Sequence, residues 1–192
     1  MGKSVKGTKT EKNLLASFAG ESQARNRYTY FAGVAKKAGL EQIAAIFLDT
    51  ADNEKEHAKR FFQYLEGGEV EITAGYPAGI IGTTEQNLDA AAGGEKMEWS
   101  TIYPDAEKIA RAEGFEEIAA QFKEIAEVEE RHEKRYRALL NNLREGKVFK
   151  KDQAVKWHCR NCGYVSESKE APKMCPACKH PQAYYEVLAE NY

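Results

Sequence analysis

From Glu11 to about Leu143 the apolar residues recur at intervals of three and four, the spacing of one face of an α-helix, with charged residues between them. Four helices follow from this pattern. The first is expected from a capping Thr10 to about Ala38, stopped by Gly39, with a seam of Leu14, Phe18, Glu21, Tyr28, Phe31 or Ala32, and Ala35. The second runs from about Glu41 to Glu66, and its seam is Ile43, Phe47, Thr50, Glu54, Ala58, Phe61 and Leu65. The stretch EVEITAGYPAGIIGTT is too long for a tight helical hairpin and reads as a crossover along a bundle. A third helix starts near Glu85, with Thr83 and Gln86 spaced as a capping box, and Pro104 interrupts or ends it. The fourth spans about Phe115 to Arg144, with Ile118, Phe122, Ile125, Glu129, His132, Tyr136 and Leu139 on one face.

Sliding the chain by 75 residues superimposes Gly39 to Leu65 on Gly114 to Leu140 with 12 of 27 positions identical, a match that chance does not supply. Glu54 falls on Glu129, His57 on His132 and, upstream, Tyr28 on Tyr103. Helices one and two and helices three and four are therefore two copies of one helical pair, and a bundle with an approximate two-fold axis is expected.

The pattern changes after Gly146. KVFKKDQAVKW reads as a basic, partly extended connector, and the rest has no helical period but two knuckles, Cys159-x-x-Cys162 and Cys175-x-x-Cys178. The expected division is residues 1–146, a four-helix bundle, and 147–192, connector and metal-thiolate module. So short a segment cannot bury enough surface to fold without a staple. All four cysteines of the chain lie in the knuckles, and no export signal precedes them, so metal is the expected staple rather than disulfide. Four thiolates hold zinc or a single iron, and spacing alone does not choose. A redox-active partner site on the same chain would favour iron.

Composition narrows the classes. Lys plus Arg number 28 against 30 Asp plus Glu, a net charge of −2, which leaves no excess positive charge for a nucleic-acid backbone. The 27 alanines favour helix. No apolar run is long enough to span a bilayer, so a soluble, cytoplasmic protein with no membrane partner is expected.

Two Glu-x-x-His units, Glu54 with His57 and Glu129 with His132, put a carboxylate and an imidazole one turn apart on the buried seams. An ionised carboxylate without a partner is costly to bury, so a cation is required there. Glu21 on helix one and Glu95 with Glu98 on helix three complete one Glu from each of two helices plus one Glu-x-x-His from each of the others, the pattern of a dinuclear carboxylate site in ferritin-like bundles. Five carboxylates against two ferrous ions leave one negative charge, and two ferric ions with an oxo bridge leave the same, so oxidation moves little net charge. One carboxylate is surplus: Glu98 is either a surface residue or a ligand that exchanges with oxidation state. Tyr28 and Tyr103 are either core aromatics or hydrogen-bonding supports of the ligands. Gly93-Gly94 marks close packing near the metals or a helix break.

These segments together resemble the rubrerythrin family over essentially the whole chain. EKNLLASFAGESQARNRYTYFAGVAKK, DNEKEHAKR, AAGGEKMEW, EVEERHEKR and WHCRNCGY with MCPACKHP carry the resemblance. It implies a ferritin-like bundle joined to a rubredoxin-like domain, and a non-haem di-iron peroxidase that reduces hydrogen peroxide to water in oxidative-stress defence. Electrons would enter through an iron on Cys159, Cys162, Cys175 and Cys178, supplied by reduced rubredoxin or an NAD(P)H-linked reductase. It further implies one iron on Glu21 with Glu98 or His57, another on Glu95 and His132, and Glu54 and Glu129 bridging. Glu98, Tyr28 and Tyr103 are the expected catalytic residues, with Glu98 released and His57 engaged on reduction, in a homodimer packed head to tail. The second knuckle departs from the CxxCG of rubredoxins, because Lys179 follows Cys178. The rival readings are iron oxidation and storage, which needs a closed cage, and a zinc-ribbon scaffold on an inert bundle.

Overall fold

A computed structural model describes residues 3–191. Its elements are α1 (Lys9–Lys37), α2 (Glu41–Gln63), α3 (Thr84–Met97), α4 (Tyr103–Ala112), α5 (Glu116–Arg144), β1 (Lys150–Cys159), β2 (Val165–Glu170) and β3 (Tyr185–Val187). The cap of α1 is Thr8, not Thr10: its hydroxyl accepts from the Glu11 amide at 3.1 Å. Thr10 is used elsewhere, giving its amide and hydroxyl to the Glu113 carboxylate (2.8 and 2.7 Å) and so tying the start of α1 to the end of α4. Gly39 and Gly114 sit at equivalent places in the repeat, both with positive φ (73° and 77°), and each turns one helix back on the next. The amides of Leu40 and Phe115 close these turns onto the carbonyls of Ala35 and Ala110, which satisfies carbonyls that the helix ends leave unpaired.

The third long helix does not end at Pro104. The Thr83–Gln86 capping box starts it as expected, and α3 passes through a wide π-helical turn, Glu98–Ile102, directly into α4. Pro104 follows that turn, so its missing N–H falls where the α-helical ladder is already interrupted. The bundle thus has four long helices, as the seams predict. Gly93 and Gly94 are helical and break nothing; a side chain at Gly93 would meet open space, and only Gly94 faces a neighbour, Arg27.

The core is two-fold in its parts. Tyr28, Phe47 and Tyr136 pack with ring centroids 5.1–6.1 Å apart, and their repeat mates Tyr103, Phe122 and Phe61 pack at 5.0–5.9 Å. Each trio anchors one apolar cluster, around Leu88 and Ile43 in the first case and Leu14 and Ile118 in the second. Between the two clusters the seams carry glutamate and histidine.

The connector is not a free tether. Most of it is β1, the central strand of an antiparallel sheet ordered β2-β1-β3, over a small core of Trp157, Cys159, Ala171, Cys175 and Tyr185 with Phe149 against it. Only about Glu145 to Phe149 remains as linker, so the long reach of an extended connector is not available. The module rests on the end of its own bundle where α1 turns into α2 and α5 stops. There α2 touches β3, Lys151 donates to Asn142 (3.3 Å), and Leu40, Leu143 and Phe149 share one groove.

Candidate metal centres

Inside the bundle, Glu21 from α1, Glu54 and His57 from α2, Glu95 from α3, and Glu129 and His132 from α5 converge. Ligand atoms of Glu21, Glu54, His57 and Glu129 lie within 4.8 Å of one another, and so do those of Glu54, Glu95, Glu129 and His132. The two sets share Glu54 and Glu129. Such an arrangement could hold two adjacent ions, with Glu54 and Glu129 common to both and one further glutamate and one histidine for each.

Burial tests the fit. Glu21, Glu54, Glu95 and Glu129 are 0–1 % exposed, which is costly for carboxylates unless cations or protons compensate. Oxygens of all four, and Nδ1 of His132, find no hydrogen-bond partner although they face one another. Nδ1 of His132 lies 2.7 Å from Glu129, 3.3 Å from Glu54 and 3.7 Å from Glu95, yet none of these oxygens is placed where a hydrogen bond would point. These unpartnered ligand atoms lie close enough together for an ion to satisfy them.

The proton equilibria tell the same story. Burial, then the charges of Glu129 and Glu54, pushes Glu21 well above the usual carboxylate range. Burial and the neighbouring Glu54 raise Glu95 to about 8. Burial works against a charged imidazole, but the Glu129 and Glu54 carboxylates outweigh it and raise His57 to about 10 and His132 to about 12. Burial likewise opposes ionisation of Glu129, and the two histidines overcome it, holding that residue at about 2. The same carboxylates that favour a proton on each imidazole would favour a metal ion in its place.

Two tyrosines brace the cluster. Tyr28 on α1 donates to Glu95 Oε1 and Tyr103 on α4 donates to Glu21 Oε1, each at 2.5 Å. Both tyrosines pack their rings in the apolar clusters and give their hydroxyls to carboxylates of this cluster.

Glu98 stands outside both ligand sets and His57 inside. It is half-buried, the first residue of the π-helical turn, and faces a cavity of about 280 Å3 between α1 and that turn, with Arg27, Met97 and Tyr103 in its walls. Crossover residues 74–77 roof the cavity, held by the Tyr76 hydroxyl on the Ala16 carbonyl at 2.6 Å. Burial and the charge of Glu95 raise Glu98 well above the usual range, with Arg27 opposing.

One signal in the sequence explains Glu98. A slip of 75 aligns Tyr28 with Tyr103, but Asn13, Leu14, Gly20 and Glu21 align with Asn87, Leu88, Gly94 and Glu95 at 74. The extra residue lies between Glu95 and Tyr103, and the π-helical turn absorbs it. Glu98, with Ala24 at the equivalent place in α1, is part of that departure from symmetry.

In the module the four cysteines come together, with Cys159 3.8 Å from Cys178 and Cys162 3.6 Å from Cys175 between sulfurs, and their ligand atoms within 4.8 Å. Gly163 follows the first knuckle with φ 79°, and Lys179 takes the same left-handed backbone after the second, φ 63°. The lysine thus occupies a glycine's conformation. A backbone amide hydrogen bond from His180 is the main reason the Cys178 thiol is lowered to about 6. Cys162 is the exposed member of the four cysteines.

Comparison with known proteins follows the same division. Residues 12–140 match the family model described as Rubrerythrin, and 157–186 match Rubrerythrin, rubredoxin-like domain. The chain is 62% identical to the rubrerythrin of Porphyromonas gingivalis over 192 residues, covering 100% of this chain and 96% of that one. It is 58% identical to the rubrerythrin of Nitratidesulfovibrio vulgaris, covering 99% and 100%. Among solved structures, mixed-valence nigerythrin superimposes with a TM-score of 0.62 at 29% identity, covering 97% of this chain and 92% of that one.

Proposed function

The chain belongs to the rubrerythrin family, and on that premise we propose that it reduces hydrogen peroxide to water at the bundle site, with electrons entering through iron on the four cysteines. The family is one of oxidoreductases with a di-iron carboxylate site and a four-cysteine site, and iron is the cofactor of both. The observation that carries the reading is the pairing of two ligand sets, sharing Glu54 and Glu129, with a thiolate module on the same chain. A peroxidase must be re-reduced after every turnover, which a thiolate module on the same chain would serve, whereas storage requires a closed cage of many subunits.

In this reading Glu21 and His57 would hold one iron and Glu95 and His132 the other, with Glu54 and Glu129 available to both. Reduction of peroxide to two waters consumes two electrons and two protons, and two adjacent irons supply one electron each when bound. The protein's part is placement. Tyr28 and Tyr103 keep Glu95 and Glu21 in position, the apolar clusters on either side exclude water, and the cavity beside Glu98 admits a small substrate under the crossover. Glu98 lines the cavity beside the ligand sets, where it would be the surplus carboxylate that the family resemblance expects to exchange with His57. The conformation with His57 in and Glu98 out is the one the family resemblance assigns to the reduced state.

Placement of the module supports a head-to-tail homodimer. It sits at the Gly39 end of its own bundle, and Glu54 lies fourteen residues further along α2 from Leu40, about 20 Å at the helical rise. A module supplied by a neighbouring chain packed head to tail is the alternative route that the family resemblance implies. The physiological donor of electrons to the module, reduced rubredoxin or an NAD(P)H-linked reductase, would dock near exposed Cys162.

Metal analysis with a visible spectrum of anaerobically purified protein tests the reading, together with oxidation of the reduced protein by peroxide. About three irons per chain and a red thiolate-to-ferric chromophore are expected. Stoichiometric zinc in the cell-loaded knuckles would remove the relay, and no peroxide-dependent oxidation would remove the peroxidase.

A further inference from the structure

The two histidines are equivalent in the repeat but not in how they are held. His132 turns Nδ1 to Glu54, Glu95 and Glu129, and its Nε2 N–H donates to Asn53 Oδ1 at 3.2 Å. Among the described residues the polar contacts of His57 run through Nδ1, to Glu129 (2.9 Å), Glu54 (3.0 Å) and Glu21 (3.7 Å). The approximate two-fold relation that carries His132 onto His57 carries Asn53 onto position 128, where the chain has valine. Valine accepts nothing.

The difference matters because an imidazole that ligates through Nδ1 must carry its proton on Nε2, and an acceptor there fixes both tautomer and ring plane. Asn53 does not serve its helix, since asparagine is among the weaker residues for a helix interior. Its half-buried amide instead reaches across to α5. We propose that Asn53 is the positioning residue that makes His132 a permanent ligand, and that Val128, at the equivalent place, is what leaves His57 able to exchange with Glu98. The proposal rests on the di-iron reading of the cluster given above.

Three variants of the full-length protein test it: Asn53→Ala, Asn53→Asp and Val128→Asn. Retention of ferrous ion is followed anaerobically against a chelator, and crystals are compared in both oxidation states. Asn53→Ala is expected to release one of the two bundle irons about 10–100-fold more readily, the loss typical when a ligand's supporting hydrogen bond is removed. The other bundle iron and the red colour of the module should be unchanged, and Asn53→Asp, which keeps an acceptor, should hold both irons. Val128→Asn should keep His57 engaged in oxidised as well as reduced crystals. Parent-like retention in Asn53→Ala, equal loss in Asn53→Asp, or unaltered exchange of His57 in Val128→Asn would overturn the assignment. Should Asn53→Ala lose its helical circular dichroism, the other two variants decide. Glu129→Ala separates the two levels of the argument: if it also keeps both irons, the di-iron reading itself fails, whereas iron loss there with parent-like Asn53→Ala removes only the role of Asn53.

Discussion

Tyr28 and Tyr103 are reciprocal: each donates its hydroxyl to the ligand glutamate carried by the other's helix, Tyr28 to Glu95 and Tyr103 to Glu21. Neither brace depends on the other, yet together they fix α1 and the third long helix at one separation across the metals. Replacing either tyrosine with phenylalanine removes the hydroxyl and leaves a buried carboxylate oxygen without a donor. Each variant is expected to bind bundle iron about 10–100-fold more weakly, at unchanged module absorbance. Iron titration of the two variants checks this, and parent affinity in both would show that the hydroxyls are incidental.

Glu54 and Glu129 belong to both ligand sets, so in the proposed centre each would serve two ions at once. Glu54→Ala or Glu129→Ala should cost both bundle irons and all peroxide turnover, because the remaining carboxylates then repel one another in a buried site. The red chromophore should persist. Metal content and activity measured on the same preparations decide it, and normal activity in both variants would refute the ligand assignment.

Glu98 lies outside the ligand sets, and its loss should look different. Glu98→Gln is expected to retain both bundle irons while turnover slows. Crystals of the parent protein in the diferric and diferrous states should differ at Glu98 and His57. Identical coordination in the two states would end the exchange hypothesis.

Electron delivery between chains can be tested by mixing. A chain with Cys159→Ser has a dead module and a live bundle, and a chain with Glu129→Ala has the reverse. In a head-to-tail dimer the mixture should recover activity well above either variant alone. Delivery within one chain would give no recovery.

Lys179 occupies left-handed backbone at the second knuckle, a conformation that costs an ordinary residue ~1–2 kcal/mol. Lys179→Gly should therefore raise the thermal stability of the metal-loaded module. The expected gain is up to about 1 kcal/mol, since glycine also loses more chain entropy on folding. Loss of module absorbance on heating, compared between variant and parent, measures it.

The bundle was legible because its seams follow a simple rule, apolar residues every three or four positions, and because glutamates on such seams contradict that rule unless something binds them. Glu21, Glu54, Glu95, Glu129 and both histidines stand together as that contradiction requires. Three features were harder to see. Asn53, a polar residue beside a ligand, looks like any solvent-facing position until its partner across the bundle is known. The strand β1 hides in KKDQAVKW because it is mostly exposed and so lacks the alternation that marks a half-buried strand. Thr8 and Thr10 are equally good caps by residue type, and only the demand of Glu113 for a donor separates them.

The π-helical turn also changes what the chain could survive losing. Elsewhere in the four long helices, deleting one residue would rotate everything beyond it by about 100° and draw it in by about 1.5 Å, out of phase with its neighbours. Between Met97 and Tyr103 the same deletion would instead bring the helix into phase with α1, for the turn holds the one residue that α1 lacks. The place in the bundle most tolerant of a shortened chain is thus also the place where Glu98 meets the cavity, and a protein trimmed there would keep its fold while losing the asymmetry between its two metals.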